Sequence, residues 1–379
     1  MKEIRTERLY MRPITAADAG VVGHIMNTYP EMSEFMTWSP PVDTDLLAKR
    51  FKAFSWDEMN AFGVFDREDH SKFIGRVTLR NFVWSVRDAS KSSAFLSIWV
   101  SPECGRKGYG TEMMQGICDY AFKTLKLRKL FAGVFIENIP SQRLMEKMKF
   151  RKIGVSRKHY LKDGKEIDST RYELLYEDWV GEKLEEYASC RSTEFSYISE
   201  DVWNRQSKYL EFRALKEDDA TMILKQLEEF EGFDAYVSWN MPHTSEEVVK
   251  KIIKVRDFGD INFGVFKDGI FIGRAMLRNF RDKQESAFKK SAFLSFWVLP
   301  PYQEYAKEVV KEMCQLGFEE LKLRKIFAPI FANNSRMKQV LEDLSFSLMG
   351  RLKNHYLKNG VEHDSLRYEL FLEDWKKKS

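Results

Sequence analysis

The sequence of 379 residues predicts two tandem α+β domains, each with a mixed, mainly antiparallel sheet and helices on both faces. Two observations predict this class. The segment YELLYEDW at 172–179 returns as YELFLEDW at 368–375, and LKLRK at 125–129 returns at 321–325. Within each copy, runs of strand-like apolar residues alternate with amphipathic helical stretches. A repeat this long indicates a duplicated domain, and we place the domains at 1–182 and 204–379 with a linker at 183–203.

The first copy is interpreted element by element from its apolar spacing and its turn residues. The predicted strands are 5–13, 62–65, 73–82, 94–100, 129–136, 151–160 and 170–176. The predicted helices are 16–28, 44–54 and 140–148, together with a longer helix whose apolar face runs from Met113 to Leu125. The second copy is expected to repeat this order.

The most informative stretch joins the strand at 97–100 to the long helix. Its loop, GRKGYGT at 105–111, contains Gly108 and Gly110, which allow a tight turn and let a ligand approach the backbone amides. The helix that follows leaves its first N–H groups unpaired and directs its positive dipole end at the loop. Arg106 and Lys107 add positive charge, so the loop predicts a binding site for a phosphate group.

Composition excludes several other classes of protein. No apolar run is long enough to span a bilayer, and the N-terminus MKEIRTERLY lacks the apolar core of a signal peptide. Four scattered cysteines suggest neither a zinc site nor a disulfide framework. A net charge of +4, with acidic residues among the basic ones, does not indicate a nucleic-acid surface. We therefore expect a cytoplasmic protein with no metal, nucleic-acid or membrane partner.

The loop spacing resembles the acetyl-CoA loop of the GNAT N-acetyltransferases, [QR]-x-x-G-x-[GA], with Gly108 and Gly110 at its small positions. Gly105 stands where the family has Gln or Arg. The phrases TERLYMRP, FIGRVTLRNF and HYLKDGKEIDSTRYEL resemble the Rim-type branch, which acetylates protein N-termini. The resemblance covers residues 1–180 and, in a degraded form, 204–379. It implies two tandem GNAT-type domains.

The resemblance also implies acetyl-CoA as co-substrate and assigns roles to individual residues. Ser141 of the N-x-x-S match is the candidate proton donor to the departing thiolate. The predicted co-substrate contacts are Trp99, Val100, Arg106, Lys107, Gly108, Tyr109, Gly110, Thr111, Asn138 and Ser141. Asn138 is equally explained as a helix cap. The usual strand Glu is replaced by Phe95, which leaves three alternatives. Water deprotonates the amine, His159 does so, or the positioning of the reactants alone supplies a modest rate.

Comparison of the two copies separates structure from chemistry. Gly108, Tyr109 and Gly110 become Glu304, Tyr305 and Ala306, whereas Asn138 persists as Asn334 and Ser141 becomes Met337. We therefore expect only the first domain to bind CoA, with capping favoured for the asparagine and chemistry for the serine. Structural roles are favoured for the residues that the copies share, which are Trp38 with Trp239, Trp99 with Trp297, Cys118 with Cys314, and His159 with His355. Cys104 is either reactive or a spacer.

The sequence thus predicts an acetyl-CoA-dependent N-acetyltransferase that acts on a primary amine, either a protein N-terminus or a small amine. The alternative is a non-catalytic module that binds acyl-CoA or a protein. The degenerate second copy is expected to serve as scaffold, acceptor-site wall or dimer surface. The sequence leaves open whether the chain forms a homodimer.

Overall fold

The computed structural model describes residues 3–54, 56, 59–83, 92–181, 205–230, 236–237, 241–253, 261–278, 291–358 and 360–377. The chain divides into two compact units, Met1–Ser192 and Thr193–Ser379, in agreement with the repeat. The expected linker at 183–203, like the expected boundaries at 182 and 204, lies outside the described residues.

The first unit interleaves strands and helices in the predicted order. Its strands are β1 (Ile4–Arg5), β2 (Leu9–Pro13), β3 (Met59–Asp66), β4 (Phe73–Val83), β5 (Ser93–Val100), β6 (Lys129–Phe135), β7 (Arg151–Lys162) and β8 (Lys165–Leu175). Its helices are α1 (Ala19–Thr28), α2 (Thr44–Lys52), α3 (Tyr109–Asp119), α4 (Ile139–Lys147) and α5 (Tyr176–Val180). A wide π-helical turn, Tyr120–Thr124, extends α3.

The sheet of the first unit is mixed and mainly antiparallel, as predicted. Its strands pair in the order β1-β2-β3-β4-β5-β6-β8-β7, and only β5 and β6 pair in parallel. This parallel pairing is confined to Ser93–Phe95 against Lys129–Phe131. Beyond it the two strands diverge, which leaves the edge of β5 from Leu96 to Val100 without a strand partner on that side.

Helices cover both faces of this sheet. On one face, Val77 and Leu79 of β4 are fully buried in a core that also contains the apolar residues of α3. On the other face, Phe65 and Phe73 pack in a second core with residues of α1 and α2. The central strands β4 and β5 therefore carry apolar residues on both faces, and β4 also carries Arg76, Thr78 and Arg80 on the face turned away from α3.

Two predicted strand boundaries are wrong. The strand expected at 170–176 ends at Leu175, because Tyr176–Val180 forms α5. Acidic residues in its first turn favour this helix, and Gly181 ends it in the left-handed conformation. The strand expected at 5–13 is split into β1 and β2 by a turn in which the Thr6 N–H donates to the Leu9 carbonyl.

The second unit repeats the arrangement of the first. Its strands are β9 (Arg205–Gln206), β10 (Glu211–Arg213), β11 (Ile261–Lys267), β12 (Ile270–Arg278), β13 (Ser291–Val298), β14 (Lys325–Phe331), β15 (Ser347–Lys358) and β16 (Val361–Phe371). Its helices are α6 (Ala220–Glu228), α7 (Ser245–Val248), α8 (Ala306–Gln315), α9 (Ser335–Asp343) and α10 (Leu372–Lys376). Among the strands described in this unit, β13 and β14 again form a single parallel pair. In the described part of the chain, no helix is long and apolar enough to cross a bilayer.

A close approach of β4 to β5 predicts the effect of one substitution. A Cβ atom on Gly75 would lie 2.3 Å from the Trp99 carbonyl oxygen, and the second unit repeats this contact at Gly273. We expect Gly75→Ala to destabilise the first unit by about 3 kcal/mol, because overpacking against backbone cannot be relieved by a side-chain rotation. Gly20→Ala is the matched control, since nothing lies within 4 Å of its added Cβ. Urea unfolding of both variants checks this, and equal stabilities would contradict it.

Candidate active site

The loop between β5 and α3 forms a cradle of backbone amides. A single 3-10 turn, Pro102–Cys104, follows β5, and the chain then reaches α3 through Arg106 and Gly108, which have φ angles of 58° and 82°. Within the described part of the chain, no oxygen accepts a hydrogen bond from the backbone N–H groups of residues 106–110. Successive unpaired amides at a helix N-terminus form an anion site.

The two loop glycines have different roles. Gly108 needs its left-handed φ, which other residues adopt at a cost. Gly110 has no such requirement, and a Cβ there would meet Val100 Cγ2 at 3.6 Å, an ordinary contact. The expected tight turn therefore depends on Gly108 and not on Gly110, and Ala306 does not by itself remove the cradle from the second copy.

The loop has two charged side chains of its own, and Arg8 lies against it from the N-terminal segment. Lys107 Nζ donates to the Glu103 carbonyl at 2.9 Å, and the Arg106 side chain is exposed. Arg8 of the N-terminal segment donates through Nη1 to the Lys107 carbonyl at 2.9 Å, and its guanidinium carbon lies 4.7 Å from the Tyr109 ring centroid. The Tyr109 ring is thus buried under Arg8, and only its backbone N–H belongs to the cradle.

Arg8 is a candidate functional residue that sequence reasoning missed. It forms a salt bridge to Glu112 in the first turn of α3, with Nε 2.7 Å from Oε2. A Cβ on Gly108 would lie 3.3 Å from Arg8 Nη2, so this cation borders the cradle. In both units this glutamate accepts from a backbone N–H of the N-terminal segment, Arg8 to Glu112 at 2.7 Å and Tyr209 to Glu308 at 3.2 Å, but the second unit has no guanidinium at this position. The exchange of Arg for Tyr between the copies was the available signal.

A groove with a volume of about 900 Å³ reaches the cradle from the side of α3. It is lined by residues of the N-terminal segment, by Gly108, Thr111 and Glu112 at the start of α3, and by Lys147 of α4. Lys147 Nζ lies 3.5 Å from Thr111 Oγ1. This volume suits a ligand of the size of a nucleotide. The groove borders the cradle rather than the divergence of β5 and β6, so it is not the place of bond formation.

Asn138 and Ser141 lie at the start of α4. Asn138 Oδ1 accepts from the backbone N–H of Ser141 at 3.1 Å, and Asn334 accepts from Met337 in the same way at 3.1 Å. The capping interpretation of Asn138 is therefore confirmed. The half-buried Ser141 hydroxyl has no partner among the described residues, so it retains its proton for another acceptor.

Phe95 lies on the face of β5 that is turned away from α3, at the position where the family usually has a Glu. Its ring centroid lies 5.3 Å from the guanidinium carbon of Arg80 and 5.0 Å from that of Arg171. His159 Nε2 lies 3.2 Å from Arg171 Nη1, and because a guanidinium only donates, this nitrogen must accept. The His159 lone pair is thus engaged, which favours the structural interpretation over a role as base.

The remaining predicted residues have packing roles. Trp99 is half-buried and packs on Phe73 with ring centroids 5.7 Å apart, and Trp38 packs against the same core; Trp239 lies outside the described residues. Cys118 is fully buried, as expected of a core thiol. Cys104 is also buried, and burial raises the pKa of its thiol, which opposes the suggestion that it is reactive.

The matching region of the second unit lacks the cradle. A 3-10 segment, Pro300–Tyr305, leads directly into α8, and no residue described there has a positive φ. Glu304 is exposed at the place that corresponds to Gly108. Its carboxylate would repel a phosphate.

The chain is similar to known acetyltransferases. The model of the acetyltransferase (GNAT) domain matches the chain at residues 8–151 and at 209–347. A Bacillus subtilis protein named probable N-acetyltransferase YjcK is 35% identical to this chain, and the match covers 27% of this chain and 54% of that relative. A Bacillus licheniformis protein named uncharacterized N-acetyltransferase p20 is 26% identical over 48% of this chain and 100% of its own length. The solved structure of the ribosomal-protein-S5-alanine acetyltransferase from Vibrio fischeri is 19% identical, with a TM-score of 0.40, over 47% of this chain and 99% of its own.

Proposed function

Because the chain belongs to the GNAT acetyltransferase family, in two copies as its sequence predicts, we propose that its N-terminal unit transfers an acetyl group from acetyl-CoA to a primary amine. The observation that carries this proposal is the row of unpaired amides at residues 106–110, directly before α3. These amides suit a pyrophosphate group. The second unit, which has Glu304 in place of Gly108, is proposed to bind no CoA and to act as scaffold, acceptor-site wall or dimer surface.

The chain's own residues account for most steps of this reaction. The unpaired edge of β5 beyond Phe95 offers backbone groups that can hold an extended pantetheine arm and donate to the thioester oxygen. The amine nitrogen bonds to the carbonyl carbon while the carbon–sulfur bond breaks. Ser141 donates its proton to the leaving thiolate and regains one from the amine through solvent.

Ser141→Ala tests catalysis separately from binding. We expect thiol release from acetyl-CoA, with a panel of amines as acceptors, to slow about 100-fold, because a positioned proton donor contributes on that order. The affinity for acetyl-CoA should stay within about threefold, since the Ser141 side chain has no structural partner in the described residues. The control is Ser335→Ala, an exposed serine at the matching helix of the second unit.

An unchanged rate in Ser141→Ala would contradict the proposed proton donor. If wild-type protein binds acetyl-CoA but releases no thiol with any amine, the alternative stands, namely a non-catalytic acyl-CoA-binding module. That alternative is favoured by two departures from the family pattern, Gly105 in place of Gln or Arg and Phe95 in place of the usual Glu.

A further inference from the structure

Two arginines of β4 face the same side of the sheet as Phe95. Arg76, Thr78 and Arg80 alternate along the strand, so their side chains share one face. In the antiparallel register, Thr78 lies opposite Ser97 and Arg80 opposite Phe95 of β5. The other face of β4 packs below α3. Both guanidinium groups therefore flank the segment of β5 that borders the divergence from β6.

Neither arginine has a carboxylate partner in the described part of the chain. The Arg76 guanidinium carbon lies 5.3 and 5.4 Å from the ring centroids of Phe51 and Phe54. The Nε atoms of Arg76 and Arg80 are buried, and neither donates a hydrogen bond to an acceptor among the described residues. Burial lowers the pKa of Arg76 to about 10, which leaves the group charged at neutral pH. An unpaired buried charge is costly, and such groups cluster at functional sites.

The second unit satisfies the corresponding arginine internally. Arg274 takes the place of Arg76, is buried, and donates from Nε to Asn262 Oδ1 at 2.7 Å. The position that matches Asn262 in the first unit is Ala61, which offers no side-chain acceptor. The unit without a cradle thus supplies an internal partner at the position of Arg76, whereas the unit with the cradle leaves that guanidinium for another group. At the position of Arg80 the units do not differ in this way, because the Nε of Arg278 is also buried without a partner among the described residues.

This face is accessible at its centre. Ser97 belongs to a central strand and lies between the two arginines in the register, yet its side chain is exposed. A residue in the middle of a covered sheet would be buried. A small molecule can therefore approach β5 at Ser97, whose register partner Thr78 lies between Arg76 and Arg80 on the same face of β4.

From these observations we infer that the acceptor is a primary amine that also carries a carboxylate, such as an amino acid, and that Arg76 and Arg80 bind the carboxylate. This inference rests on the proposed acetyl transfer. The amine nitrogen gains the acetyl group, the thiol leaves, and the carboxylate is unchanged. Two nearby cations also disfavour the ammonium form of the acceptor and so favour the nucleophilic amine where Phe95 replaces the usual base. The same charges disfavour a polyamine.

The test compares each amino acid with its own amide as acceptor for the full-length protein, with spermidine as a cationic reference and thiol release as readout. We expect kcat/KM for the preferred amino acid to exceed that of its amide by about tenfold or more, because an unpaired buried charge then gains its partner. Equal rates for acids and amides would overturn the inference and leave acetyl transfer intact. Failure to bind acetyl-CoA would overturn the proposed function instead.

Arg76→Met and Arg80→Met supply the second part of the test. Each should abolish most of the preference for the acid and weaken binding of that amino acid to CoA-saturated protein by about tenfold. Acetyl-CoA affinity should not change, and the melting temperature should stay level or rise, because no hydrogen bond is lost. Arg278→Met, at the position that matches Arg80 in the second unit, is the control and should leave the kinetics unchanged. Retention of the preference in both β4 variants would refute the assignment.

Discussion

Wild-type protein is expected to bind one equivalent of acetyl-CoA per chain, and the Gly108→Glu variant none. The substitution copies Glu304 of the second unit into the cradle. It places a carboxylate among the amides that are proposed to bind the pyrophosphate, and it forces an L-residue into a φ of 82°. We expect a loss of affinity of more than about 100-fold in a calorimetric titration, which corresponds to about 2.8 kcal/mol.

Gly110→Ala is the matched control for that variant. Its added Cβ meets Val100 Cγ2 at 3.6 Å and Leu144 Cδ2 at 3.8 Å, and the second unit carries Ala306 at this place. The affinity should stay within about threefold of wild type, because these are ordinary contacts. Full binding by Gly108→Glu would refute the cradle. Two equivalents bound by wild type would show instead that the second unit binds despite Glu304.

The second large effect is expected from a buried ion pair. Lys325 Nζ lies 2.8 Å from Glu369 Oε2, and the two side chains are 2% and 1% exposed. Lys325→Met would leave the Glu369 carboxylate in a low-dielectric core. We expect it to lower the free energy of unfolding of the second unit by about 3 kcal/mol, because the buried carboxylate loses a cation that offsets the cost of its desolvation. Urea titration of the full-length chain measures this.

Two comparisons make this prediction specific. The double variant Lys325→Met with Glu369→Leu should recover most of the stability, because it removes both charges. In the first unit, Lys129→Met should also be destabilising, although Arg151, which contacts the same Glu173 carboxylate, remains there as a second cation. A double variant as unstable as Lys325→Met would contradict the explanation by an unpaired charge.

The sequence predicted much of the candidate site because the relevant signals are local. A strand, a loop with Gly108 and a helix follow one another within 29 residues, from Ser97 to Leu125, and their order alone fixes where the unpaired amides lie. Comparison of the two copies also worked, since Asn138 caps α4 as Asn334 caps α9. It failed at Gly110, where a difference between the copies reflects no constraint on the backbone.

The sequence by itself determined the duplication, the α+β class and the position of the cradle, because repeats and apolar periodicity are written along the chain. Only the tertiary structure decided which charges border that cradle and the acceptor face. Arg8 reaches Glu112 across 104 positions, and the status of Arg76 depends on what lies beside it in space. An arginine beside a carboxylate and an arginine without one look identical in a sequence. The difference lies in burial and partner distance, which exist only after the strands have paired and the helices have packed.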